Sequence, residues 1–353
     1  MERKITFAEA IREGTDQCMG NDSSVYIMGL GVPDPKGIFG TTTGLREKYG
    51  EKRVLDMPVS ENGMTGIAIG SALTGMRPIM THQRIDFMLL ALDQIINNAA
   101  KWHYMFGGQM SVPLVVRLLV GQGWGQGPQH SQSLQAIFAH IPGLKVVMPF
   151  SPYDAKGLLV SAVEDNNPIV FIEHRWLHPL LGEVPKKVYN TPIGEARVVK
   201  KGKDITIVSS SHMTLEVLKA AECLKNENID VEVIDLRSLK PLDENTIIES
   251  VIKTGHLIVV DGAWRFMSIS AEIIAIIAEK IFTSLRQPPC RITFPDLPTP
   301  TSSALSSQYY PRAINIINKV TDLLHLPKKS EGEWGIAPTG PLDVPDKSFT
   351  GPF

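Results

Sequence analysis

Cysteine is scarce in this 353-residue sequence: Cys18, Cys223 and Cys290 lie far apart with no CxxC spacing, which argues against a disulfide scaffold or a zinc site. They read as reduced thiols packed as small apolar groups. The nine histidines form no HExxH or other metal pair. His174 and His178 are four apart, but Pro168 and Pro179 bracket them, so they are read as non-ligands. With a formal net charge of -2 and no long Lys/Arg run or basic stripe, the footprint of a nucleic-acid binder is missing. Neither GxGxxG followed by a helix nor GK[ST] occurs, so nucleotide binding is not supported. The amino terminus, MERKITFAEAIREG, lacks the apolar stretch and small-residue cleavage site of a secretory signal. The expected location is cytoplasmic, or the mitochondrial matrix if a transit peptide has been removed.

What is present is ordinary globular usage, 43% hydrophobic and 20% charged, with neither a disordered nor a membrane composition. The length exceeds the span of one hydrophobic core, so two domains are expected. Thr6 and Glu9 have capping-box spacing and start an amphipathic helix. Val25 to Met28 reads as a strand, and Gly29-Leu30-Gly31 with Pro33 and Pro35 starts a long loop. Arg53 to Val59 reads as a buried strand that delivers Glu61 to the start of a Gly- and Ala-rich helix, Met64 to Thr74. Pro78 to His82 is another strand, and Phe87 to Trp102 a long, largely buried helix. Strands at 113–119, 145–147 and 168–173 surround a helix at 153–163. After a Pro-rich stretch from Trp176 to Pro192 the alternation restarts, with strands at 205–209, 231–234, 256–260 and 291–294 and helices at 215–224, 245–252 and 270–281. The expected fold is α/β, two three-layer α/β/α domains with mostly parallel sheets. The boundaries are placed at 1–185, 186–326 and a Pro/Gly-rich tail at 327–353. The tail's prolines oppose helix while Trp334, Ile336, Leu342, Val344, Phe349 and Phe353 are more apolar than a linker needs, so it is expected as an extended arm across another subunit.

Glu61, where a hydrophobic strand meets a helix start, should be partly desolvated and face the amides of the helix terminus. From local sequence alone the plain N-terminal helix acid is the favoured reading. His130 sits in GQGWGQGPQHSQ, a glycine-rich run after a strand, where α/β folds commonly carry function.

The segments VLDMPVSENGMTGIAIGSALTGMRPIM, LDQIINNAAKWHYMFGGQMSVPLVVR, QHSQSLQAIFAHIPGLKVVMPFSPYDAKGLL and DNNPIVFIE resemble, in order, motifs of β subunits of pyruvate and branched-chain 2-oxo acid dehydrogenase E1 components. The likeness continues through DITIVSSS, VEVIDLRSLKPLDENTIIESVIKTGHLIVVDGAW and ISAEIIAIIAE, and covers about residues 5 to 325. The resemblance implies a pyrimidine-binding transketolase-like domain followed by a transketolase C-terminal-like domain. It implies that Glu61 hydrogen-bonds the aminopyrimidine of thiamine diphosphate and stabilises its imino tautomer, while the cofactor carries the hard chemistry. It places Phe87 against that ring, with Val59, His82 and Gln83 along the same wall, and gives His130 a part in acyl transfer to a lipoyl carrier. It offers a potassium ion at Leu114, Ala162, Val163, Asp165 and Asn167, although Asp165-Asn166-Asn167-Pro168 is also a good turn. The family's α subunits hold the diphosphate and magnesium through Gly-Asp-Gly, absent here, so the resemblance implies an E1 α-type partner in an α2β2 assembly and, beyond it, a lipoyl acyltransferase.

Two departures stand out. Gly29-Leu30-Gly31 replaces an acidic context after the first strand and Leu90 replaces an acid of some relatives, which removes side chains linked to communication between active sites. In THQRIDF, His82 and Arg84 replace residues that are commonly apolar or aromatic. Arg84 is either a recogniser of a substrate carboxylate or phosphate, or a surface salt bridge. The expected reaction is decarboxylation of a 2-oxo acid with acyl transfer to a lipoyl carrier. The alternatives are transketolase-like two-carbon or acyl transfer to a sugar or carrier protein, and a regulatory subunit without catalysis.

Overall fold

The computed structural model describes residues 3–121, 126–327 and 329–336. In chain order its strands are β1 (Lys4–Thr6), β2 (Val25–Met28), β3 (Val54–Leu55), β4 (Arg77–His82), β5 (Val115–Val120), β6 (Lys145–Val147), β7 (Ile169–His174), β8 (Leu181–Glu183), β9 (Arg197–Lys200), β10 (Ile205–Ser209), β11 (Val231–Asp235), β12 (Ser238–Lys240), β13 (Leu257–Trp264) and β14 (Cys290–Phe294). They form a seven-stranded sheet, β12-β6-β7-β5-β4-β2-β3, and a five-stranded sheet, β14-β13-β10-β11-β9; β1 and β8 make a separate antiparallel ribbon. Pairing is parallel throughout the two larger sheets except for β12 against β6 and β9 against β11.

A parallel sheet covered on both faces needs strands that are apolar on both sides. β5 meets that need: Val115 and Leu119 pack beneath the helices Phe7–Asn21 and Pro152–Glu164, while Val116 and Leu118 pack beneath Glu61–Leu73 and its neighbours. The first helix starts where Thr6 and Glu9 predict, with Thr6 Oγ1 accepting from the Glu9 amide at 3.2 Å and Glu9 accepting from the Thr6 amide at 2.8 Å. In the second sheet Ile205 and Ile207 face the helices His212–Lys225 and Ala313–Leu323, and Val208 faces Glu244–Thr254 and Ile269–Ile281.

Four expectations need correction. The strand read across Arg53 to Val59 is only Val54–Leu55, since Pro58 donates no amide and Val59 is 75% exposed in this chain. The long helix at 87–102 is three pieces: a 3₁₀ segment Ile85–Ala91, a π segment Gln94–Ala99 and an α-helix Ala100–Met105. Leu89 and Leu90 on it are exposed rather than buried. The tail, as far as 336, is no arm: residues 331–335 turn back, Trp334 is buried with Ile336 against the second sheet's helices, and Lys329 pairs with Glu227 at 2.6 Å. Residues 337–353 lie outside the described residues, as do 122–125 of the glycine-rich loop.

The two sheets are not independent. β12 follows β11 of the second sheet yet closes the edge of the first, and one hydrophobic cluster runs from Met28 and Val116 through Val208 to Ile273. At the junction Arg237 donates to Asp154 at 3.1 Å, and Asp235 lies beside them fully buried, with Oδ2 unpartnered among the described residues. Burial, then the neighbouring Asp154, lifts the Asp235 carboxyl from 3.8 to about 8. An acid raised on folding binds its proton better in the folded state, so it favours folding below 3.8 and that contribution is lost as pH rises through about 8. Asp235→Asn is therefore expected to gain melting temperature over the unaltered protein progressively between about pH 5 and 8; a constant difference in scanning calorimetry across that range would refute it.

Candidate active site

In open α/β sheets ligands sit beyond the carboxyl ends of the parallel strands, and that edge of the first sheet gathers most of the residues named from sequence. β3 leads through Ser60 into Glu61, β4 into Gln83 to Phe87, β5 into Gly121 and the loop that returns at Gln126 to His130, and β7 into Arg175. Glu61 is the first residue of the helix Glu61–Leu73 and is 7% exposed. Thr65 Oγ1 donates to its carbonyl at 2.7 Å, while its carboxylate makes no hydrogen bond or ion pair among the described residues. The amide end of the helix directs positive potential at that anion.

The helix of Glu61 packs on the 3₁₀ segment Ile85–Ala91. That segment turns half-buried Phe87 toward the imidazole of His130, with ring centroids 5.4 Å apart at an interplanar angle of 50°. His130 ends a single helical turn, Gly127–His130, and its side chain is 41% exposed. Its Nδ1 meets Asp86 Oδ2 at 2.9 Å. Asp86 was not singled out from sequence, because the pair spans 44 residues; its one sequence signal is an acid directly before Phe87.

Arg84 is no surface salt bridge. It is 7% exposed, donates from Nε to Gln126 at 2.7 Å and to the Gln83 carbonyl at 2.6 Å, and lies 5.1 Å from the centroid of Phe39. Arg175 approaches the same ring at 4.8 Å. Burial, then the charge of Arg84, brings Arg175 down to about 10. Ile38 and Phe39 reach this position with φ of 34° and 56°, the left-handed region that costs side-chain-bearing residues energy and clusters at functional sites. Gln83 donates to the Leu30 carbonyl at 3.0 Å, which ties the Gly29-Leu30-Gly31 loop to the site. His82 is 3% exposed, burial pushes it down to about 4, and its Nε2 has no partner among the described residues. Val59 and Leu90, 75% and 61% exposed, flank this region on the surface.

The residues named for potassium cluster at the opposite, amino-terminal end of the sheet. Arg77 donates to the carbonyls of Val163 at 2.8 Å and Asp165 at 3.1 Å, and the Leu114 carbonyl accepts from the Ile169 amide at 2.9 Å. The Asp165 carboxylate takes Lys145 Nζ and both nitrogens of Asn167. His174 and His178, set aside as ligands, are buried: His174 stacks on His212 at 4.8 Å and His178 lies 3.4 Å from Glu173.

Residues 3–179 match the family model of the transketolase pyrimidine-binding domain, and residues 194–316 that of the transketolase C-terminal domain. The protein is thus of the transketolase-like class. It shares 45% identity with the acetoin:2,6-dichlorophenolindophenol oxidoreductase subunit beta of Cupriavidus necator, over 90% of this chain and 96% of that one. Identity is 43% with the pyruvate dehydrogenase E1 component subunit beta of Porphyra purpurea, over 92% and 98%. A solved split-gene transketolase, an inactive β4 tetramer, shares the fold with a TM-score of 0.75 at 20% identity, over 92% and 99%. The chain belongs to the family of 2-oxo acid dehydrogenase E1 β subunits.

Proposed function

We propose that this chain is the β subunit of a thiamine-diphosphate-dependent E1 enzyme that decarboxylates a 2-oxo acid and passes the acyl group to a lipoyl carrier. The observation that carries the reading is Glu61: a carboxylate 7% exposed at a helix start, with no protein partner among the described residues. Its oxygens are not among the buried unpartnered atoms, so the group is open to accept from a ligand at the helix start. When bound, thiamine diphosphate supplies a cationic ring that accepts the electron pair released on decarboxylation. Glu61 would receive a hydrogen bond from the pyrimidine, Phe87 would lie against the ring, and uncharged His82 offers Nε2 and Gln83 its amide along the wall with Val59. His130 would exchange a proton with the acyl acceptor, and Arg84 would face the substrate's anionic group. The division at 1–185 and 186–326 belongs to the same reading and is supported by the two family-model matches.

No group of three His, Cys, Asp or Glu suited to a metal occurs among the described residues, and the sequence has no Gly-Asp-Gly. The diphosphate and magnesium would therefore be held by an α-type partner, in α2β2. Exposed Val59, Ile67 and Leu90, near Glu61's helix, give such a partner an apolar surface. The potassium reading fares differently. Arg77 and Lys145 already bring two positive charges to the acceptors it would use, so the residues do not fit a further cation and no step is derived through one.

The full chain alone is expected to bind thiamine diphosphate at least about 100-fold more weakly than the chain co-assembled with an α-type subunit and magnesium, a difference of about 2.7 kcal/mol. Tight stoichiometric binding to the isolated chain in calorimetry would overturn this. Carbon dioxide release from a panel of 2-oxo acids by the assembly, with dye reduction, tests the reaction itself. A second reading, cleavage of the hydroxyketone acetoin, is favoured by the 45% identity to an acetoin oxidoreductase subunit. Dye reduction with acetoin and without carbon dioxide release would select it.

A further inference from the structure

The segment after β4 carries one charge that the cofactor reading leaves unused. Asp86 is the second residue of the 3₁₀ segment Ile85–Ala91 and the acid of its first turn. Its Oδ2 meets His130 Nδ1 at 2.9 Å, across 44 residues of chain. The carboxylate side chain is only 11% exposed, and its other oxygen, Oδ1, is buried with no hydrogen-bond partner among the described residues. A carboxylate held in that state loses hydration, which a place in the first turn alone does not offset. The neighbouring positive charge is Arg84, two residues earlier, within electrostatic reach of Asp86 but hydrogen-bonded to Gln126 and the Gln83 carbonyl.

A carboxylate only accepts, so in this contact Nδ1 must donate. That fixes Nδ1 as the protonated nitrogen of the neutral ring and leaves Nε2 with its lone pair on the exposed side. Phe87, the next residue, bears on the same imidazole at 5.4 Å, so one turn of backbone fixes both the tautomer and the tilt of His130. The same turn presents Phe87 as an apolar face.

We propose that Asp86 is the positioning residue of His130, holding the ring with Nδ1 protonated and Nε2 turned to the acyl acceptor. The proposal rests on the catalytic role given to His130 above. It assigns Asp86 to proton exchange at Nε2 and not to the activation of the cofactor by Glu61, so the two residues act on separable steps.

The test compares the full unaltered chain with Asp86→Asn, which is isosteric and keeps an acceptor while removing the charge, and with Asp86→Ala. The first readout needs no catalysis: acylation of His130 by diethyl pyrocarbonate across pH, quantified by peptide mass spectrometry. Loss of the charge that orients the ring is expected to lower acylation of His130 in Asp86→Asn by about threefold or more along the profile. The second readout uses the assembly with its α-type partner. There, acyl transfer is expected to slow by about 10- to 100-fold, while deuterium exchange at the cofactor's thiazolium carbon, which depends on Glu61, stays unchanged. An unchanged acylation profile overturns the proposal. So does a uniform loss in both exchange and transfer, which would mark Asp86 as merely structural. An unaltered assembly that is inactive on both 2-oxo acids and acetoin would sink the proposed function, whereas the acylation profile would still decide the Asp86–His130 contact by itself.

Discussion

Glu61→Gln is expected to lower decarboxylation by about 10³-fold in the assembled enzyme while leaving the fold and the assembly intact. The amide has the same shape and still accepts one hydrogen bond, so the helix start at Ser60 and the Thr65 bond to the Glu61 carbonyl survive. What would disappear, on the proposed function, is the negative charge that stabilises the protonated pyrimidine. The loss should fall on kcat and on thiazolium exchange together, because both depend on that protonation. A Glu61→Gln assembly that decarboxylates at the unaltered rate would remove Glu61 from the mechanism, and with it the main support for the proposed reaction.

The largest stability effect is expected at Arg117 and Glu173, on adjacent strands β5 and β7. Both are fully buried; Arg117 Nε donates to Oε1 at 2.6 Å and its NH2 to Oε2 at 3.1 Å. Burial by itself would lift the Glu173 carboxyl, but Arg117 and then His178 carry it below its ordinary value. Its contribution to stability is thus present above the unfolded value of about 4.3 and lost as pH falls through the folded one. Glu173→Leu leaves a guanidinium in the core without its counter-charge and should cost about 3 to 5 kcal/mol in urea unfolding. The double variant Arg117→Met with Glu173→Leu should recover most of that. If Glu173→Leu alone shifted stability by less than about 1 kcal/mol, the pair would be no different from a surface ion pair. The effect should also reach the site, because Arg117 donates to Thr41 Oγ1 at 2.9 Å and so fixes the loop that carries Phe39 to Arg84.

Elements written in local sequence were legible. The Thr6–Glu9 box gives the first helix its start, and the Gly/Ala-rich helix begins at Glu61, three residues before the expected Met64. Apolar runs gave eight of the twelve strands of the two larger sheets within two residues at each end; β9 and β12 were not foreseen, β3 is shorter and β13 longer than expected. The strand at 53–59 is cut short locally by Pro58, whereas other misses turn on contact with distant chain. The helix expected from Phe87 gives way to a 3₁₀ segment where Asp86 and Phe87 turn to His130, more than forty residues on. Arg84 stays open in sequence between an anion recogniser and a surface salt bridge because nothing nearby announces Phe39 or Gln126. Trp334 read as part of an arm because its partners are helices formed more than a hundred residues earlier, such as His212–Lys225. Glu61 and His130 were named through family likeness; their local surroundings alone did not separate a functional acid from a helix-terminal one.

The crossing of β12 into the first sheet bears on how this chain can be made and cut. On the ribosome, β6 emerges about 90 residues ahead of the strand that covers it, and until then Lys145–Val147 is an open edge able to pair with another nascent chain. A fragment ending in the Pro-rich connection near residue 190 would keep that edge bare permanently. Expressed by itself, the amino-terminal half is therefore expected to aggregate through β6, whereas the carboxyl-terminal half, whose own sheet needs nothing from β12, should remain the better behaved of the two.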